Sequence, residues 1–146
     1  MTDILVKNAR VIDGTQDRPS DAIDIRLVDG YVQEVSASLS APDTATVIDA
    51  KNSFVMPGLI DAHVHVNAQN ANLKENAALP DAIATVGTMN LMQAMLARGF
   101  TTVRDLGGAS GPLRKAMEMA PVQLPRLNIC GKALSQTGGH TDQRGP

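Results

Sequence analysis

The chain has three histidines, and two of them lie one residue apart in the stretch PGLIDAHVHV, which runs from Pro57 to Val66. Side chains alternate along a β-strand, so Asp61, His63 and His65 are predicted to share one face. Two residues advance a strand by roughly 6.6 Å, a spacing at which two neutral imidazoles can converge on one metal ion. The alternative is a pair of hydrogen-bonded core histidines, because two ligands do not complete a zinc site.

Four further residues are candidates for a role at such a site. Asp61 either hydrogen-bonds a ligand histidine or ends the strand network. His140 follows two glycines in a loop, where a polar side chain can be aimed at a ligand or simply be solvated. Asp105 is expected to make structural hydrogen bonds to nearby loop backbone. Cys130 is predicted to be a small buried residue without a catalytic role.

The elements that must position these residues follow an alternating order after Pro57. The pattern predicts a strand in GLIDAHVHV, a helix in PDAIATVGTMNLMQAMLARG and a second strand in FTTVRDLGG. A short helix in SGPLRKAMEMAP and a third strand beginning at PRLNIC complete the series. Ile60, Ala62, Val64 and Val66 are expected to pack under the helices. This order predicts an α/β fold with parallel strands joined by crossovers.

Residues 1–56 differ, because their pattern is that of short strands and turns. Asp29-Gly30 is a hairpin signal between two alternating runs. The segment is too small to bury a full core alone. We therefore expect a domain boundary at residue 56, with residues 57–146 forming the second part.

The composition excludes several classes of function. A formal net charge of -2 and only three aromatic residues give no footprint for nucleic acid or anionic lipid. The single cysteine excludes an intrachain disulfide and suits a reducing compartment. The start MTDILVKNARVID is no signal peptide, and no apolar run approaches a membrane span. A cytoplasmic protein is the expectation.

The motifs together resemble the amidohydrolase superfamily of metal-dependent hydrolases. The resemblance rests on PGLIDAHVH after a β-rich segment and on GFTTVRDLGG after one helix. It implies a (β/α)8 TIM barrel preceded by a small β-sandwich segment, with His63 and His65 as metal ligands. Arg104 alternates away from Asp105 along its strand and is expected to pair on the outside of this barrel. The stretch ALSQTGGHTD is similar to the imidazolonepropionase-related, prolidase-like subgroup, which implies that His140 faces the substrate.

The activity that the resemblance implies is zinc-dependent hydrolysis of an amide bond. One or two divalent ions would lower the pKa of a bound water, and the hydroxide would attack the substrate carbonyl. Dipeptides or N-acyl amino acids that release proline, lysine or arginine are the implied substrates. Hydrolysis of a cyclic amide, as by imidazolonepropionase, and deamination are the alternatives within the enzyme class.

The resemblance also implies residues that these 146 positions do not contain. In the family, a lysine on strand four, histidines on strands five and six and an aspartate on strand eight complete the site. A whole barrel needs about 250 residues. The chain is therefore expected to be the N-terminal portion of an enzyme whose remainder lies on the same or another chain, with a homo-oligomer as the expected assembly. A catalytically incomplete assembly subunit is the alternative from another class.

Overall fold

A computed structural model describes residues 2–137 and residue 139. The chain divides into two compact units, Met1–Pro57 and Gly58–Pro146. The first contains five strands, namely β1 (Asp3–Val11), β2 (Ala22–Val28), β3 (Tyr31–Ser36), β4 (Thr46–Asp49) and β5 (Phe54–Val55). The second contains β6 (Leu59–Val64), α1 (Leu73–Ala78), α2 (Asp81–Ala97), β7 (Phe100–Asp105), α3 (Gly111–Glu118) and β8 (Arg126–Ile129).

Strand β1 is the centre of the first unit. It pairs antiparallel with β2 and parallel with both β4 and β5, in a sheet of order β3-β2-β1-β4. The β2–β3 hairpin turns at Asp29 and Gly30, whose φ angles of 49° and 84° are those of the two-residue turn predicted from the sequence. Leu5, Ala9 and Ile25 are its buried apolar residues among those described. The β-rich character expected for this segment is confirmed.

The second unit has the predicted order of strand, helix, strand, helix and strand, with one additional short helix, α1, before α2. Strands β6, β7 and β8 lie side by side in that order and are parallel. The helices α2 and α3 form the connections between them. The α/β class inferred from the alternation is therefore confirmed.

The core of the second unit lies between the sheet and its helices. Met92 and Met95 of α2 and Met117 of α3 pack with Val103 and Leu127, which are paired neighbours on β7 and β8. This packing places α2 and α3 on one face of the sheet. The same face holds the side chain of Asp105, which is fully buried.

Helix α2 begins and ends where the sequence predicts. Asp81 is its first residue after Pro80, and Gly99 follows its C-cap with a φ of 93°. In the sequence, Ile83, Val86 and Met92 recur at three-residue steps with Met89 and so form one predicted apolar stripe of the helix. Only part of this stripe is covered, since Met92 is buried whereas Ile83 and Val86 are exposed among the described residues.

Candidate metal site

The two histidines lie at the C-terminal end of β6. His63 is in the strand and His65 follows its last residue, Val64. Their ring centroids are 5.5 Å apart and the rings stand at 78° to each other. Both side chains are exposed in the described part of the chain, and neither belongs to the apolar core of this unit.

A backbone carbonyl orients the ring of His65. Its Nδ1 lies 3.0 Å from the carbonyl oxygen of Gly107, in the loop after β7. A carbonyl oxygen can only accept, so Nδ1 carries the proton in this contact and the neutral ring has its lone pair on Nε2. A histidine whose other nitrogen is held in this way is the usual form of a metal ligand.

A β-bulge in β6 sets the direction of these side chains. Asp61 pairs with Val103 and Val64 pairs with Asp105, so three steps along β6 match two along β7. Asp61 therefore lies beside a core residue, and Val64 packs against the same core. Two residues of β6, Ala62 and His63, therefore lie between these pairs, opposite the single residue Arg104 of β7.

The bulge overturns part of the alternation expected from the sequence. Asp61 does not share the face of His63 and His65, since its neighbour Val103 is on the helix side. Ile60 and Ala62, which were expected under the helices, are exposed. Val66, by contrast, is fully buried as predicted. The physical reason is that one inserted residue reverses the side-chain direction for the residues beyond it.

The carboxylate of Asp61 contacts the backbone at the bulge. Its Oδ1 accepts a hydrogen bond from the N–H of His63, at 3.1 Å. Opposite the bulge, Arg104 Nε donates to the carbonyl of Ala62 at 3.0 Å. Arg104 alternates with the buried Val103 and so lies on the face opposite the helices, which corrects its expected position on the outside of the barrel.

Asp105 makes the structural contacts that its position predicts. Its Oδ2 accepts from Val66 N at 2.8 Å, while its Oδ1 accepts from Gly107 N at 2.9 Å and from Ala109 N at 3.1 Å. The carbonyl of Gly107 as a partner of His65 was not foreseen. Two successive glycines, Gly107 and Gly108, are typical of a tight turn, but the sequence does not show where the carbonyl of such a turn points.

Two of the remaining candidates have different outcomes. Cys130 is exposed rather than buried, because it follows the last residue of β8 and leaves the core at the strand end. His140 lies outside the described residues.

The donor set of the described residues fits part of a metal site. Two neighbouring imidazoles are present, and at least one presents a free Nε2 by its hydrogen bonding. Over residues 2–137 and 139, no group of three or more His, Cys, Asp or Glu side chains could hold a metal. Within that same part of the chain, no helix is long and apolar enough to cross a membrane.

Comparison with known proteins gives the family. Residues 54–144 match the model of the Amidohydrolase family. The structure of an amidohydrolase is 45% identical over 99% of this chain and 35% of that chain, with a TM-score of 0.91. A prolidase complexed with N-methylphosphonate-L-proline is 40% identical over 98% of this chain and 35% of its own, with a TM-score of 0.89.

A sequence match links the chain to a different named activity. The dihydroorotase of Citrifermentans bemidjiense is 36% identical over 107 residues, which cover 73% of this chain and 22% of the dihydroorotase.

The chain belongs to the amidohydrolase family, whose members are generally metal-dependent hydrolases. It spans 35% of the two solved relatives and 22% of the dihydroorotase. The resemblance inferred from PGLIDAHVH and GFTTVRDLGG is thereby confirmed at the level of the family.

Proposed function

We propose that the protein is a metal-dependent, prolidase-like hydrolase that cleaves a dipeptide or an N-acyl amino acid and releases the C-terminal amino acid. One observation carries this proposal: the prolidase complexed with N-methylphosphonate-L-proline matches 98% of this chain at 40% identity. Proline is the first leaving amino acid to test, followed by lysine and arginine.

We infer that His63 and His65 hold a divalent metal. The support is their separation of 5.5 Å between ring centroids and the hydrogen bond that leaves Nε2 of His65 unprotonated. Imidazole is a favoured ligand of zinc, which makes Zn²⁺ the proposed metal, as one ion or a pair. When bound, the metal would act as a Lewis acid toward water and the amide carbonyl.

Two other residues take supporting parts in the proposal. Asp61 holds the backbone N–H of His63 and so maintains the bulge that directs this histidine. His140 is proposed to contact substrate, on the strength of its place after Gly139 in TGGH. The further metal ligands and the proton-transferring groups are proposed to come from sequence outside these 146 residues, on the same polypeptide or on another. The second domain is accordingly proposed to be the start of a barrel.

Hydrolysis of a cyclic amide is the second candidate function. It is favoured by the 36% identity to a dihydroorotase over 73% of the chain. Both candidates break a C–N bond of an amide, so the same metal ligands would serve either. They differ in their products: the first candidate releases a free amino acid, whereas hydrolysis of a cyclic amide opens the ring and releases none.

The test is a substrate panel on the complete protein reconstituted with Zn²⁺. Xaa-Pro, Xaa-Lys and Xaa-Arg dipeptides, N-acyl amino acids and dihydroorotate are compared by release of free amino acid and by loss of the cyclic amide. We expect hydrolysis of at least one linear substrate, abolished in a His63→Asn/His65→Asn variant. Turnover of dihydroorotate alone would favour the second candidate, and turnover that survives the double substitution would refute the metal assignment.

A further inference from the structure

One buried side chain joins the two loops that surround His65. Asp105 is 0% exposed and lies at the end of β7, while His65 lies just beyond the end of β6. The carboxylate accepts three backbone N–H groups, from Val66 on one loop and from Gly107 and Ala109 on the other. A buried carboxyl group satisfied in this way is rigid, since breaking the hydrogen bond from Val66 or from Ala109 would leave a buried donor without a partner.

These three hydrogen bonds act on His65 from two sides. Val66 is the residue after His65, so the 2.8 Å bond to Asp105 Oδ2 fixes the backbone that carries the imidazole. Gly107 both donates its N–H to Asp105 Oδ1 and accepts from Nδ1 of His65 through its carbonyl. The position of the ring and the position of the carbonyl that holds it therefore depend on the same carboxylate.

We propose that Asp105 is a positioning residue for His65: by holding Val66 and Gly107 together, it keeps the Gly107 carbonyl on Nδ1 and so presents Nε2 of His65 as a ligand. The inference rests on the proposed metal site and extends it by a residue that does not contact the metal. Asp105 acts through backbone groups alone, which distinguishes it from a carboxylate that binds the imidazole directly.

A carboxylate suits this position better than an amide does. All three partners are donors, and a carboxylate offers acceptors on both oxygens. In Asp105→Asn, the remaining oxygen can serve Gly107 and Ala109 only if the NH₂ group faces the N–H of Val66. Two donors then face each other beside His65, so the side chain keeps its size but no longer fixes both loops.

The experiment compares Asp105→Asn with wild type in the complete protein. Affinity for Zn²⁺ is measured by competition with a chelator, and we expect a loss of about 10- to 100-fold, the usual effect of a residue that supports a metal ligand. In the metal-free protein, ¹⁵N NMR of labelled histidine reports which ring nitrogen of His65 is protonated. The His65 signal is assigned by its loss in His65→Asn. We expect the Nδ1–H form in wild type and a mixture of forms in Asp105→Asn.

Asp24→Asn is the matched control. Asp24 is also a buried aspartate that accepts backbone N–H groups, from Asn8 and Leu39, but it lies in the first unit. We expect its substitution to destabilise that unit while the tautomer of His65 and the affinity for Zn²⁺ stay at their wild-type values. An equal loss of affinity in both variants would reduce Asp105 to a general structural residue and overturn the proposal.

The wild-type spectrum is a test that does not depend on the folding of any variant. A metal-free His65 protonated on Nε2 would overturn the proposal, since the Gly107 carbonyl would then not hold Nδ1–H. An unchanged tautomer and unchanged affinity in Asp105→Asn would also overturn it, while leaving the metal site intact. Failure of the proposed function would give a different result: the His63→Asn/His65→Asn variant would bind Zn²⁺ as tightly as the wild type does.

Discussion

Gly99 shows how a single residue determines where an element ends. It follows helix α2 with a φ of 93°, a left-handed conformation that other residues adopt at a cost. A Cβ built there would have Leu59 Cδ1 as its nearest neighbour, at 3.9 Å, which is an ordinary contact. The strain of a substitution at Gly99 therefore arises in the backbone and not in packing.

We expect Gly99→Ala to lower the free energy of unfolding by about 1–2 kcal/mol, the cost of a left-handed conformation for a residue with a Cβ. Urea denaturation of the complete protein measures it. Gly111→Ala is the control, because Gly111 begins α3 without a positive φ and a Cβ there meets nothing within 4 Å. That variant should be neutral or more stable by up to about 1 kcal/mol. Equal stability of the two variants would show that the left-handed conformation of Gly99 carries no such cost.

At the scale of residues, the site could be predicted as far as side-chain chemistry is visible in the sequence. The spacing of His63 and His65 predicts two metal ligands, which stays a prediction, and the structure places their rings 5.5 Å apart. The place of Asp105 at the end of a strand predicts the bonds to loop backbone that it makes. The Gly107 carbonyl could not be predicted, because every residue has a carbonyl and only the turn aims this one at His65. The burial of Cys130 was predicted wrongly, since residue type alone does not show where β8 leaves the core.

At the scale of elements, β6 illustrates what hydrophobic alternation cannot show. Its sequence reads as a regular strand, yet it has a bulge between Asp61 and Val64. The insertion is defined by its partner strand, so no local pattern contains it. Helix α1 was missed for a related reason. Its start is capped by Asn72, whose side chain accepts from Lys74 N and Glu75 N, in a polar stretch without apolar periodicity.

The strands of the first unit are linked by carboxylates whose pKa values lie below their usual range. The hydrogen bond from Arg26 lowers the pKa of Asp3 and connects β1 to β2. The side chain of Asn8 lowers the pKa of Asp49 and connects β1 to β4. The backbone N–H of Leu39, followed by that of Asn8, lowers the pKa of Asp24.

We expect the first unit to lose stability in acid. Because the carboxylates have lowered pKa values in the folded chain, the unfolded chain binds protons before the folded chain does as the pH falls. The stabilisation is therefore present above about pH 3.9, the ordinary pKa of aspartate, and disappears as the pH falls toward the lowered pKa values. Hydrogen exchange of peptides from residues 2–57, corrected for intrinsic rates at each pH, measures the loss. Asp24→Asn should weaken the pH dependence, and protection that is unchanged from pH 7 to pH 3 would contradict the prediction.

At the scale of the whole molecule, the exposed apolar residues show what hydrophobic periodicity could not predict. Ile60 is 70% exposed, and Ile83 and Val86 of α2 are 55% and 52% exposed. Periodicity places Ile83 and Val86 on the same apolar stripe as the buried Met92, but it does not show how far along α2 the packing against the core extends. The order and parallel pairing of the elements were predictable because alternating strands and helices leave few topologies open.

We propose that His63 and His65 bind the metal of the complete protein, and the chain's membership in the amidohydrolase family supports that proposal. The most direct test is the zinc content per chain, by elemental analysis, of the complete wild-type protein and of its His63→Asn/His65→Asn variant. We predict bound zinc in the wild type and its loss in the variant, with both proteins folded by circular dichroism. Full zinc content in a folded variant would contradict the assignment of these two histidines as metal ligands.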